Sequence, residues 1–178
     1  MGGSTEDRLR ALEDYVEIVQ LVSRYGPAID SESTADAVGL WSEDGVYDVG
    51  VLFGGPVGYW TGRAEITGMV EGESVSRLRA QGCAHFTGIP HIEINGDTAT
   101  GAGYSILFAY RPESDDFGVP RVTATSWELR REPEGWRITR RVNRNLDGDE
   151  AARALLGDAV AEWRRERTVA EPGIPAEQ

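Results

Sequence analysis

The stretch Cys83–Gly101, CAHFTGIPHIEINGDTATG, decides how the rest of the chain is read. It holds both histidines of the protein, His85 and His91, followed by Asn95-Gly96-Asp97 between two alternating segments. Asn-Gly at such a place marks a hairpin, because both central residues of a type I′ turn need positive φ. His85 and His91 therefore fall on or just before one strand, and a second long strand returns beside it to Tyr110. A side chain carried by a strand can be aimed more reproducibly than one on a loop. On an uninterrupted strand His91 would share a face with His85 and Glu93. Pro90 is placed to break that alternation, and His91 then reads as a surface or subunit-side histidine.

Working outward toward the N-terminus, residues 63–79 read as a helix weakened by Gly68 and Gly72. Before it, Gly50–Gly62 reads as a loop, and Val46–Val49 as a short strand after the turn Glu43-Asp44-Gly45. Ser33 or Thr34 can cap a short helix, Ala35 to Trp41. The chain opens on an amphipathic helix from Glu6, with Leu9, Leu12, Val16, Val19 and Val22 at spacings of three and four. Gly26-Pro27 is expected to kink or end it near Tyr25, with Ala28-Ile29-Asp30 as a last turn. Toward the C-terminus, β segments are expected at 83–94, 97–111, 119–132 and 135–145, then a helix over 150–167. Residues 1–5 and 169–178 read as mobile ends of a single domain spanning 1–178. Helices gathered at the start and antiparallel strands after them give an α+β class. A strongly curved sheet closed by those helices makes a cone-shaped α+β barrel with an interior pocket.

Composition narrows the function. The 178 residues carry a formal net charge of −12, which argues against nucleic acid or an anionic membrane as partner. No apolar run approaches the roughly 20 residues of a membrane-spanning helix, and no basic-then-apolar leader opens the chain. One cysteine, Cys83, can neither staple the fold nor build a thiolate metal site. The expectation is a soluble, cytoplasmic, acidic protein.

Several stretches together resemble the SnoaL-like branch of the nuclear transport factor 2-like superfamily. They are Arg24-Tyr25 with Ile29-Asp30, Leu40-Trp41 with Asp44-Gly45-Val46-Tyr47, Gly62-Arg63-Ala64-Glu65-Ile66, His85, Ile92 through Ala99, and Gly135-Trp136-Arg137-Ile138. Within that branch the chain is most similar to scytalone dehydratases, bile-acid 7α-dehydratases and hexachlorocyclohexane dehydrochlorinases. The resemblance implies that an Asp at the end of the first helix orients a proton-abstracting His on the sheet. Asp30 and His85 stand at those places, and Tyr25 and Tyr47 match two tyrosines of the bile-acid enzymes. The acidic residue those enzymes carry on the following strand is absent, since Ile106, Leu107 and Phe108 occupy that region. The second catalytic His of scytalone dehydratase is absent as well. The resemblance also implies homodimers or homotrimers, with the outer sheet face and the last helix as interface.

The chemistry of the dyad is elementary. A neutral imidazole can accept a proton near neutral pH, and a carboxylate on its other nitrogen fixes the tautomer and stabilises the imidazolium. The bland alternative is a buried His–Asp tether. Tyr47 and Tyr25 can donate to a substrate oxygen or protonate a departing hydroxyl, or simply belong to the core. Trp41, Phe53, Trp60, Phe86, Tyr104, Phe108 and Trp127 are candidates to line the pocket. The greasy loop Leu52–Trp60 reads as a lid over an apolar ligand. The arginines 137, 140, 141 and 144 alternate with Ile138 and Val142, which gives a solvated face or a subunit contact. Arg144, near the strand end, is the candidate to reach an anionic group in the pocket instead.

Asp30 and His85 lack a third ligand in the sequence, so no metal is expected. Gly54-Gly55 and Gly58 lack the Lys-Ser/Thr of a phosphate loop, and Ser105 and Ser126 lack a nucleophile turn. The reading is a cofactor-independent lyase or isomerase acting on a hydrophobic cyclic small molecule such as a steroid, terpenoid or polyketide. A non-catalytic binding or assembly module with the same pocket is the alternative. An epoxide hydrolase or cyclase is a third option, disfavoured by His85 because those enzymes rely on carboxylates.

Overall fold

The first helix sets the frame. In the computed structural model, which describes residues 4–51 and 57–169, α1 runs unbroken from Thr5 to Asp30. Ser4 caps it in a reciprocal capping box with Asp7. Pro27 lies inside the helix rather than ending it. The backbone hydrogen bond it cannot donate is outweighed by burial on both sides, at Tyr25 and Gly26 and again at Ala28 and Ile29. Gly26 has a second reason to be there. A Cβ at this position would overlap the carbonyl oxygen of His85, so only glycine lets the helix lie this close to the strand.

After α1 come α2 (Thr34–Val38), β1 (Trp41–Val51), β2 (Val57–Thr61), α3 (Gly62–Val70), α4 (Glu73–Gln81), β3 (Cys83–Thr87) and β4 (His91–Asn95). The long strands β5 (Thr98–Arg111), β6 (Asp116–Glu132) and β7 (Gly135–Asn145) follow, and α5 (Glu150–Val169) closes the chain. The sheet order is β2-β1-β7-β6-β5-β3, with β4 pairing β5 alongside β3. All pairs are antiparallel except β1 with β7, which is parallel. The result is α+β with N-terminal helices and a curved, unclosed sheet. Leu52 and Phe53 of the expected lid, and the tail from residue 170, lie outside the described residues.

Boundaries differ from expectation in physically instructive ways. Trp41 begins β1 instead of ending α2. The stretch 63–79 is two helices, because Gly72 takes an extended conformation and starts α4 afresh. Residues 83–94 are two strands separated at Gly88–Pro90, where proline cannot donate to the ladder.

The core lies between α1 and the inner face of the sheet: Ile18, Val22, Ile29, Trp41, Trp127, Leu129, Trp136 and Ile138. Asp14 of α1 pins this seat, accepting from the Trp136 indole at 3.3 Å and pairing with Arg131 at 2.6 Å. The outer face carries α5, under which Ala102 and Ala124 are buried.

Candidate active site

The last residue of α1 meets the first inward-facing positions of β3. Asp30 Oδ1 lies 2.6 Å from His85 Nδ1, and its Oδ2 accepts from the His85 backbone N–H at 2.8 Å. One carboxylate thus holds both the ring and the main chain of the same residue. Because an ionised carboxylate only accepts, the proton between them sits on Nδ1, and the lone pair of a neutral His85 is on Nε2. Nε2 has no hydrogen-bond partner among the described residues. Burial alone would raise Asp30, but the two hydrogen bonds from His85 outweigh it and hold the carboxyl below its usual range. Cys83, two residues before His85 on the same face, donates its thiol to Asp30 Oδ1 at 3.4 Å. Burial, and then the Asp30 charge, push that thiol up to about 12.

Beside the imidazole stands an aromatic wall. The Tyr25 ring is edge-on to His85 with centroids 6.1 Å apart, and edge-on to Tyr47 at 6.1 Å on its other side. Trp41 and Trp60 pack on Tyr47 at 5.6 and 5.9 Å. The Tyr47 oxygen accepts from the Tyr25 hydroxyl at 3.4 Å and from Asn143 Nδ2 at 3.1 Å, so its own hydrogen is left to donate elsewhere. Burial raises the Tyr47 hydroxyl, yet the charges of Arg141 and Arg121 and those two hydrogen bonds bring it below its ordinary value. Tyr25, buried and facing Tyr47, is pushed up and keeps its proton.

Sequence reasoning missed Arg141, which is 1% exposed. Its guanidinium stacks over Tyr25 at 4.1 Å, with Tyr47 at 5.1 Å and Trp127 at 5.7 Å. Among the described residues no carboxylate lies within ion-pair distance, and its Nε is buried without a partner. Asn143 Oδ1 and Thr87 Oγ1 are likewise buried and unpartnered. Simple alternation hid Arg141. Leu129 pairs with Ile138 while Glu128 pairs with Arg140, so Thr139 is the extra residue of a bulge. The bulge reverses the facing of everything after it, and Arg141 turns inward.

Arg144, expected in the pocket, is a correction. It faces outward and binds Asp48 through two nitrogens at 2.9 Å each. Two other lining candidates also face away: Phe86 and Tyr104 are each 53% exposed on the outer face. Phe108 pairs with Ala84, on the face opposite His85. Trp41, Trp60 and Trp127 lie on the inner side, and Phe53 is outside the described residues. His91 pairs with Ala102 on the outer face and contacts Glu93 at 3.1 Å, so the Pro90 break separates the two histidines.

The interior beside His85 is therefore aromatic and polar rather than uniformly greasy. Access is narrow: the His85 and Asp30 side chains are 10% and 22% exposed. Among the described residues, the surface hollows include one of about 550 Å³ between α1 and α2 and one of about 240 Å³ under α5, neither of them lined by His85 or Asp30.

Residues 10–142 match the SnoaL-like domain family, and the chain belongs to it. An NTF2-like protein with a cystatin-like fold from Novosphingobium aromaticivorans is 44% identical, with a TM-score of 0.79 over 85% of this chain and 94% of that one. A Mycobacterium tuberculosis protein of unknown function is 21% identical, with a TM-score of 0.66 over 92% and 94%. A hexachlorocyclohexane dehydrochlorinase from Novosphingobium barchaimii is 17% identical, with a TM-score of 0.62 over 80% and 91%, a likeness of fold. Comparison with curated proteins finds no match. No described helix is long and apolar enough to cross a membrane.

Proposed function

We propose that the protein is a cofactor-independent lyase, with double-bond isomerisation as the neighbouring possibility, acting on a hydroxylated cyclic small molecule. One observation carries this reading. His85 is locked by Asp30 at Nδ1 and at its backbone, and presents a bare Nε2. In the reaction Nε2 takes a proton from carbon next to a carbonyl or leaving group, and Asp30 stabilises the imidazolium. The electron pair left on carbon forms the new double bond as the C–O bond breaks. Tyr47 gives its proton to the departing hydroxyl, which leaves as water. Arg141 steadies the negative charge passing through the phenolate or a substrate enolate. His85 and Tyr47 then return to their starting states by exchange with solvent.

A family likeness to a dehydrochlorinase fold supports elimination chemistry but does not choose the substrate. A structural reading has its own support, since Asp30 also staples α1 to β3 through the His85 backbone and Cys83. The two readings part at turnover. Hydroxylated steroids, terpenoids and polyketides are incubated with the protein, and a conjugated product is followed by absorbance. His85→Ala should lower the rate by about 10²–10⁴-fold, the usual range for a general base. An unchanged rate in that variant, on a substrate the wild type converts, overturns the proposal.

A further inference from the structure

The atoms that make the dyad also make a metal donor set, which the sequence concealed because its third member is the lone cysteine. Asp30 Oδ1 is 2.6 Å from His85 Nδ1 and 3.4 Å from Cys83 Sγ, and the ligand atoms of the three residues all lie within 4.8 Å of one another. Tetrahedral zinc bound by one sulfur, one nitrogen and one oxygen asks for donors roughly 3.3–3.6 Å apart. The sulfur–oxygen separation is already there, the nitrogen–oxygen pair must open by about 0.7 Å, and the sulfur–nitrogen pair, which lies within 4.8 Å, must settle at about 3.5 Å. Asp30 keeps its anchor while this happens, since Oδ2 stays on the His85 backbone N–H. Two of the donors lie two residues apart on one face of β3, and the third ends a 26-residue helix, so regular elements carry all three.

We propose that Asp30, Cys83 and His85 bind a thiophilic divalent ion, Zn²⁺ or Cd²⁺, and that the ion switches the base off. The binding half stands by itself; the inhibition half rests on the function proposed above. On binding, the thiol proton leaves to solvent and sulfur, Nδ1 and Oδ1 become ligands. The imidazole proton displaced from Nδ1 reappears on Nε2, because a neutral ring carries one proton. Nε2 then has an N–H in place of its lone pair and cannot abstract anything. No electrons change hands, and one proton is released per ion. Affinity therefore rises about tenfold per pH unit through the neutral range, as a displaced thiol proton requires. Mg²⁺ and Ca²⁺, which need several hard oxygens, gain nothing from a thiolate and an imidazole.

The test uses the full, untagged chain after chelator treatment. Co²⁺ is titrated first and its thiolate charge-transfer absorption followed; Zn²⁺ is then titrated calorimetrically in two buffers of different ionisation enthalpy. The expected result is one ion per chain, a charge-transfer band, and one proton released. Cys83→Ser, checked for folding by thermal unfolding, should lose the band. His85→Asn should weaken Zn²⁺ uptake in parallel. In turnover, stoichiometric Zn²⁺ should silence the wild type and a chelator restore it, while the ratio of rates with and without Zn²⁺ stays near one in Cys83→Ser. Absence of saturable Zn²⁺ binding, or a cobalt band that survives Cys83→Ser, overturns the site. Ion binding as described with undiminished turnover overturns the inhibition. Ion binding as described together with a dispensable His85 leaves the site standing and removes the catalytic reading instead.

Discussion

Arg141 and Arg144 sit three residues apart on one strand and meet opposite fates. Arg144 faces outward and is neutralised by Asp48, with Arg140 approaching the same carboxylate at 3.4 Å. Arg141 faces inward, is buried among aromatic rings, and has no acid beside it among the described residues. Burying an uncompensated charge is costly, and the stacking on Tyr25 offsets only part of that cost. The outer face is thus built to hold together. The inner face keeps a guanidinium whose Nε is buried without a partner.

The largest effect is expected at Arg141. Arg141→Met should lower turnover by about 10²–10³-fold, the size of a lost transition-state charge contact. Stability should stay level or rise, because replacing a poorly compensated buried ion by an apolar side chain is often neutral to favourable. A fall in denaturant midpoint with turnover intact would reverse the assignment and make Arg141 structural. Next in size is Gly26. Gly26→Ala forces a methyl into the His85 carbonyl, and a loss of about 3 kcal/mol is expected from chemical denaturation, since helix and strand must separate to admit it. Tyr47→Phe comes third and should leave a residual rate, about ten- to a hundredfold down, with little change in stability.

The smallest effect belongs to the outer face. Arg144→Met should cost about 1 kcal/mol and leave turnover alone, as a partly exposed ion pair does. Its pH dependence has a definite sign. The Arg144 hydrogen bonds, against a counteracting burial effect, hold the Asp48 carboxyl below its ordinary value, so their contribution is fully present above the unfolded carboxylate range near ~4. It fades as pH falls through the lower folded value. The gap in melting temperature between wild type and Arg144→Met should therefore be full at neutral pH and close in acid. A gap that persists in acid would mean Arg144 acts through packing instead.

The part of the molecule legible in its sequence is the part governed by local pattern. Asn95-Gly96-Asp97 announced the β4–β5 hairpin but not its turn type: Asn95 pairs with Thr98, so Gly96 and Asp97 are the central residues, and of the two Gly96 alone takes positive φ, +62°, which a type I′ turn does not allow. The pairing of Asp30 with His85 came from resemblance, since no local rule joins positions 55 residues apart. What escaped was controlled by tertiary contact. Gly26-Pro27 reads as a stop signal, yet Gly26 is where a strand backbone presses on the helix, and burial carries the helix past Pro27. The Thr139 bulge reverses strand facing, which no count of alternating residues reveals, and Arg141 and Arg144 exchanged roles because of it. Cys83 could have been found: residues 83 and 85 share a face on any regular strand.

The proposed role of His85 hangs on one proton on one ring. Nitrogen NMR of the ¹⁵N-histidine-labelled chain, at a pH of about 8 where a free imidazole is neutral, reads it directly. His85 should carry its hydrogen on Nδ1, strongly deshielded by Asp30, with Nε2 unprotonated, and Asp30→Asn should disturb that pattern. A His85 found with its hydrogen on Nε2 and Nδ1 bare would contradict the account, for the nitrogen assigned to accept the substrate proton would already hold one.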